Sequence, residues 1–258
     1  MYTTLKLTFE GKIATLTLSR AEKRNAISQQ LIDEFLAALE EVENSPAQIL
    51  ILTGEGKAFC AGLDLDELQA LVAQTAEENQ RHSQRIATLC SSLYSFPKTT
   101  IAAVNGAAIA GGTGLATLCD FTLASTAASF GYTEVRIGFV PAIVSAFLIR
   151  QVGEKHARDL LLTGRIITVE EAYRMGLVNE VVEPPNLLSG AQRLAEQLLE
   201  NSPASLRATK ALLQDYVKDG LERDILSGMQ ANASVRKSAD FEEGVRSFLE
   251  RRKPRWSE

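Results

Sequence analysis

The sequence predicts a mixed α/β body followed by a helical C-terminal stretch, and three observations carry that prediction. Residues 49–52 (Ile-Leu-Ile-Leu) are a continuous apolar run, as expected of a strand buried on both faces, and 99–104 reads as the next buried strand. Between them lie segments with apolar residues at helical spacing, the alternation of strands and covering helices. After Pro184-Pro185 the strand pattern disappears and helices follow one another, which divides the chain into residues 1–183 and 184–258.

Taken in order, Leu5-Lys6-Leu7-Thr8-Phe9 alternates, Glu10-Gly11-Lys12 turns, and residues 13–18 complete a hairpin. Residues 20–26 form a polar loop. Ser28 is placed to cap a helix whose apolar face is Leu31, Ile32, Phe35, Leu36, Leu39 and Val42, ended by Asn44-Ser45-Pro46. The strand at 49–52 runs directly into a glycine loop, residues 54–62. Residues 65–71 read as a short helix. A longer one from Glu77 carries Ile86, Leu89, Cys90 and Leu93 on one side and stops at Pro97.

The stretch 101–120, IAAVNGAAIAGGTGLATLCD, organises the remainder. It begins as a buried strand and turns at Asn105-Gly106. It then runs through small residues to Gly111-Gly112-Thr113-Gly114 and continues as an apolar helix to about Cys119. A glycine-rich turn opening a helix presents unpaired N–H groups at the positive end of the dipole, an arrangement suited to an oxyanion or a phosphate. The same glycines also permit close helix–strand packing, and this stretch alone does not choose between the two readings.

Residues 121–124 are strand-like and 130–138 a loop or broken strand. Pro141 suits the first turn of a helix reaching Val152, and 153–163 is a further helix. Thr168-Val169-Glu170-Glu171 has the capping-box pattern, Gly176 ends that helix, and 178–182 is the last strand. In the helical stretch Ser202-Pro203 starts a helix, and Gly220 and the 238–240 region divide the others. The final helix ends in Arg251-Arg252-Lys253 before Pro254, cations where the dipole favours them.

A net charge of −5 and a pI of about 5.3 argue against a general nucleic-acid or anionic-membrane binder. The three cysteines, Cys60, Cys90 and Cys119, are scattered in apolar contexts and read as small core residues in a reducing compartment. No pair has metal-ligand spacing, and His82 and His156 are far apart, so no metal is expected. The N-terminal residues lack the apolar core of a signal peptide and no run has the length of a membrane span, so the expectation is a cytoplasmic protein.

Four blocks resemble the crotonase, or enoyl-CoA hydratase/isomerase, superfamily over essentially the whole chain. They are Lys57-Ala58-Phe59-Cys60-Ala61-Gly62-Leu63-Asp64-Leu65, and Val104-Asn105-Gly106 through Gly111-Gly112 to Cys119-Asp120. Phe130-Gly131 through Glu134 to Gly138 is the third, and Leu162-Thr163-Gly164 with Glu171-Ala172 and Gly176-Leu177-Val178 the fourth. The resemblance implies a spiral of ββα units with a C-terminal helical region that packs between subunits, in homotrimers or hexamers built as dimers of trimers. It also implies an acyl-CoA substrate, with coenzyme A entering as part of the thioester and no separate cofactor.

By that resemblance the N–H groups of Leu63 and Gly111 hold the thioester oxygen, and Glu134 is the carboxylate that moves protons. Pre-aimed amides stabilise enolate charge on that oxygen, and losing one costs on the order of 3 kcal/mol of barrier. The loop residues Ala61, Asp64 and Leu65 are expected to contact the coenzyme A. Arg24 matches a position beside the CoA phosphates and adenine, and Lys57, just before the first loop, is a candidate for the same role. Phe248 and Arg251 match residues supplied to the CoA of a neighbouring subunit.

One position departs from the hydratases that use two glutamates: the earlier glutamate falls on Gly114. Gly112-Thr113-Gly114-Leu115, Glu134-Val135-Arg136 and Val140-Pro141-Ala142 instead resemble bacterial hydratases acting on 3-methylglutaconyl-CoA. The readings that follow are hydration by Glu134 alone, double-bond isomerisation with Glu134 as the one base, or acyl-CoA binding with weak catalysis. Leu68, Ile86, Phe139 and Ile143 are candidates to line the acyl end. Arg81, His82, Arg85 and Arg136 are the candidates to meet a carboxylated acyl group, although His82 reads first as a surface histidine.

Overall fold

The computed structural model describes residues 2–257. Strands β1 (Leu5–Glu10) and β2 (Ile13–Leu18) close the expected antiparallel hairpin around Gly11. Helix α1 (Gln29–Asn44) follows, with Ser28 Oγ accepting from the Leu31 N–H at 3.2 Å. Then come β3 (Ile49–Gly54), β4 (Ala58–Cys60), α2 (Leu65–Ala73) and α3 (Ala76–Tyr94). The next turn is β5 (Thr99–Val104), β6 (Ala107–Ile109) and α4 (Gly111–Thr117). After it come β7 (Phe121–Ser125), β8 (Ser129–Gly131), a 3-10 turn at Glu134–Ile137 and α5 (Ala142–Thr163).

Strands β9 (Ile166–Thr168) and β10 (Glu180–Val182), either side of α6 (Val169–Arg174), complete two sheets. The larger has the order β1-β2-β3-β5-β7-β10, parallel from β2 onward. The smaller has the order β4-β6-β8-β9. From β3 to α5 each turn of chain gives a strand to the large sheet, a strand to the small one, and then helix, the spiral of ββα units.

Burial of β3 on both faces is realised by alternation. Leu50 and Leu52 join the main core with α1, whereas Ile49 and Ile51 face a second cluster with Leu187, Ala191 and Ala195. Those three residues belong to α7 (Leu187–Leu199), the first of the C-terminal helices. It is followed by α8 (Pro203–Asp215), α9 (Lys218–Val235) and α10 (Ala239–Leu249). Helix α9 packs along α3 and α5, and α10 packs against α2 and the 3-10 turn.

Several boundaries differ from the sequence reading. The small sheet was not foreseen, because strands of three residues are too short to show a period. Helix α4 ends at Thr117, short of Cys119. Pro141 precedes the first helical residue of α5, and Gly153 (φ 73°, ψ 168°) breaks α5 into the two helical halves expected. The last strand starts at Glu180, not at 178. Gly220 does not divide two helices: it lies inside the first turn of α9, and the break falls at Tyr216-Val217. A glycine there weakens the helix by about 1 kcal/mol, which packing against α3 and α5 offsets.

Packing of α4 on β4 is the closest approach that bears on the cavity: a Cβ added at Gly112 would lie 2.1 Å from the Cys60 carbonyl oxygen. The Gly112→Ala variant should therefore lose stability, by about 1–3 kcal/mol. A melting temperature about 2–4 °C lower for each kcal/mol is the outcome expected in a thermal denaturation series.

Candidate active site

The first loop leaves β4 at Cys60 and turns at Gly62 with φ 85°. Leu63 forms an isolated parallel bridge with Ile27. The Ile27 N–H donates to the Gly62 carbonyl at 2.7 Å and the Asp64 N–H to the Ile27 carbonyl at 2.8 Å. In such a bridge the two bonds flank Leu63, so its own N–H turns to the other side. Asp64 then caps α2, accepting from the Asp66 N–H at 3.0 Å and from Arg20 Nη2 at 2.7 Å. Burial alone would raise its pKa, but these partners hold the carboxyl below its usual range.

Asn25, buried and left-handed at φ 56°, braces the loop ahead of it by donating to the Glu55 and Ala58 carbonyls at 3.0 and 2.9 Å. Asn105 accepts from the Gly54 N–H at 3.2 Å and donates to the Gly56 carbonyl at 3.0 Å.

The second loop is set by Ala110, which sits at φ 52°, ψ −122°, a conformation costing a non-glycine residue on the order of 1–3 kcal/mol. It is held there by its N–H, which donates to the Gly131 carbonyl at 2.7 Å. Thr113, fully buried, ties the same elements together: its hydroxyl donates to the Ala108 carbonyl at 2.6 Å and accepts from the Gly131 N–H at 3.1 Å. Gly111 is the first residue of α4, and opening amides of a helix have no acceptor inside it. A Cβ at Gly62 would lie 3.7 Å from Gly111 N, so the two loops adjoin. The close-packing reading of the glycine stretch is realised at Gly112, while Gly111 stands at the helix start.

Leu63 and Gly111 line a cavity of about 530 Å³ that Glu134 also lines. Glu134 opens the 3-10 turn after β8, is 9 % exposed, and its Oε2 has no hydrogen-bond partner among the described residues. Burial pushes its pKa up to about 7. Gly114 faces α5: a Cβ there would come within 2.7 Å of Val144 Cγ1, so the volume a second glutamate would start from is filled. Cys90 lines the cavity too, but burial pushes its thiol up to about 12 and removes it as a nucleophile.

Among the other expected site residues, Ala61, Leu65 and Phe248 line this cavity, as do Leu68, Ile86, Phe139 and Ile143. Phe248 does so within its own chain. Arg24, Lys57, Asp64 and Arg251 stand outside the lining. Arg24 is exposed at the edge of the first loop, its carbonyl accepting from the Ala61 N–H at 3.0 Å, and Lys57 is exposed beside it. Arg251 is exposed and left-handed just beyond α10. Of the distal cations, Arg81 pairs with Glu77 and Arg85 with Asp33 on the exterior, while Arg136 reaches the cavity.

His82 is a correction: it is 5 % exposed, because α9 covers this part of α3. It meets Arg236, also 5 % exposed, which sequence reasoning missed because an arginine at the end of a polar helix carries no mark of burial. Arg236 Nη1 donates to the Asn79 carbonyl and Oδ1, and Nη2 to Asn232 Oδ1 at 2.6 Å and His82 Nδ1 at 3.0 Å. A guanidinium only donates, so Nδ1 accepts and the neutral ring carries its proton on Nε2. Burial, reinforced by Arg236 and Arg85, pushes His82 down to about 4 and keeps the ring neutral at physiological pH. His82, Asn232 and Arg236 all line the cavity.

Among the described residues no helix is long and apolar enough to cross a membrane. The enoyl-CoA hydratase/isomerase family model matches residues 8–258. A putative enoyl-CoA hydratase of Thermus thermophilus is 46% identical over 248 residues, covering 96% of this chain and 98% of that protein. The crotonyl-CoA hydratase of Syntrophomonas wolfei is 35% identical, covering 98% of this chain and 97% of its own length. Among solved structures, an enoyl-CoA hydratase/isomerase from Xanthobacter autotrophicus Py2 superposes with a TM-score of 0.91 at 27% identity, with full coverage of both chains. A match across nearly the full length, on a fold that brings two loops and one buried carboxylate to a single cavity, establishes that this chain belongs to the enoyl-CoA hydratase/isomerase, or crotonase, family.

Proposed function

We propose that this protein hydrates 2-enoyl-CoA thioesters with Glu134 as its single acid–base residue. The observation that carries the reading is the buried Glu134 carboxyl, one oxygen unpartnered, on the wall of the cavity that Leu63 and Gly111 also line. The thioester oxygen lies against the Leu63 and Gly111 amides. Glu134 takes a proton from water as the water oxygen bonds to the β-carbon, and charge moves to the thioester oxygen as an enolate. The same carboxyl then returns a proton to the α-carbon, which restores its charge. A carboxyl pushed up to about 7 is matched to both halves of that exchange. The resemblance of the Gly112–Leu115 and Glu134–Arg136 motifs to hydratases acting on 3-methylglutaconyl-CoA supports a reaction that needs no second glutamate.

Gly114 also favours a second reading, double-bond isomerisation, in which one base shuttles a proton between the α- and γ-carbons. Arg24 and Lys57, exposed beside the first loop, are assigned to the CoA phosphates. Residues 184–258 pack between subunits of a homotrimer or a dimer of trimers, with Phe248 and Arg251 at that junction. A reducing, cytoplasmic setting suits three buried, unpaired cysteines.

Loss of enoyl absorbance with crotonyl-CoA tests the assignment. Glu134→Gln should lower kcat by about 10²–10⁴-fold, and unchanged turnover removes the role. Conversion of a 3-enoyl-CoA to the 2-enoyl form without hydration would favour the isomerase, and thioester binding with no turnover would mark a binding homologue.

In the wild type kcat/KM should rise with pH through about 7, as the base ionises. The folded-state pKa lies above the ordinary 4.5, so the neutral carboxyl stabilises the fold fully below that value. This contribution is lost as pH rises to about 7. Glu134→Gln should consequently melt higher than wild type at pH 8, with the gap shrinking at pH 5 in parallel calorimetric scans.

Placing a glutamate at Gly114 should destabilise the fold by about 1–3 kcal/mol instead of adding a second acid. The loss should shrink when Val144→Ala opens the space, a coupling that a double-mutant cycle of denaturant midpoints measures.

A further inference from the structure

Arg236 is a buried cation without a counter-ion. Among the described residues no carboxylate lies within ion-pair distance of it; its acceptors are a backbone carbonyl, two amide oxygens and a neutral imidazole. Its Nε–H is unpartnered, and so is Nε2 of His82, which by the tautomer argument carries a proton. The face of Phe139, whose centroid is 5.4 Å from the guanidinium carbon, offsets part of the desolvation. A purely structural buried arginine is normally neutralised by an acid, because an isolated charge in an apolar setting is expensive. Here the lining includes the apolar Leu68, Ile86, Phe139 and Ile143, and the Arg236 charge stays on the cavity lining.

We propose that Arg236 and His82 bind a carboxylate carried at the far end of the acyl chain, making thioesters of dicarboxylic acids the preferred substrate class. The proposal rests on the reading that this cavity receives acyl-CoA. Two directional donors and one uncompensated positive charge match a carboxylate, whereas a methyl terminus would leave the charge unpaired and both donors unused. Asn79 and Asn232 orient the guanidinium by taking its two terminal nitrogens, which leaves Nε as the free N–H. Asn232 is itself steadied by Ser83, whose hydroxyl donates to the same Oδ1 at 2.7 Å. Glu134 and Arg236 line one cavity, so a short enoyl group with one end at the base can present its other end to the cation.

The test compares two saturated thioesters that cannot turn over, glutaryl-CoA and valeryl-CoA, which differ in a carboxylate against a methyl. Isothermal titration should show wild type binding glutaryl-CoA at least about tenfold more tightly. In Arg236→Met that ratio should fall to about one or below, in Arg236→Lys it should be partly kept, and in His82→Phe reduced less than in Arg236→Met. Taking the ratio within each variant cancels any loss of folded protein. The kcat/KM ratio for glutaconyl-CoA over 2-pentenoyl-CoA should follow the same order.

Equal affinities in wild type, or a ratio retained in Arg236→Met, would overturn the carboxylate site while leaving hydration of crotonyl-CoA untouched. Hydration absent from every enoyl-CoA, with the glutaryl preference intact, would remove the hydratase reading and leave the site standing. Failure to bind either thioester would remove both.

Discussion

The cavity depends on one close contact: α4 starts against the end of β4, with the backbone of Gly112 on the Cys60 carbonyl. That contact fixes how far apart the two loops can be, because Gly62 and Gly111 lie on either side of it. Any side chain at residue 112 would collide with the Cys60 backbone and push the two loops apart. The strained backbone of Ala110 is tolerated because its N–H is bonded to the Gly131 carbonyl, while Thr113 ties Ala108 and Gly131 on either side of it. Short strands that look weak in isolation are thus the parts that set the geometry of the site.

Burial then does the electrostatic work. Glu134 follows β8 into a turn closed by Gly138 and covered by α10, so its carboxyl sits in low dielectric with a free oxygen. Its pKa rises because the ionised form loses water, with no like charge required. A hydratase with two glutamates divides proton handling and water positioning between them, whereas here Val144 occupies the space beside Gly114. The cavity thus holds one buried carboxyl poised near neutrality.

The C-terminal helices complete what the spiral begins. Helix α9 lies along α3 and α5 and brings Asn232 and Arg236 to the cavity, while Phe248 and Arg252 reach it from the end of α10 and beyond. That end of the cavity is consequently built from residues more than a hundred positions apart. Its polarity is decided by helix packing, not by any local motif.

Much of this molecule was legible from the chain alone. The hairpin, the caps at Ser28 and Ser202, the capping box at Thr168 and the strand at 99–104 follow from local rules, since each is a bond or a period within a few residues. The loops at 62–63 and 111, and Glu134 itself, were singled out by the resemblance of their blocks to the family, and the fold brings all three to one cavity. Gly114 showed that a second glutamate was missing, but only packing revealed that Val144 fills the space. The small sheet escaped because three residues carry no period. His82 was misjudged and Arg236 unseen, because a polar residue on a helix becomes buried only when another helix lies across it, and nothing local records that. The sequence by itself determined the alternation of strands and helices and the residue types that the two loops and the turn at Glu134 bring to the cavity. The tertiary structure alone decided which polar groups lost water, and therefore where the unpaired carboxyl and the unpaired cation stand.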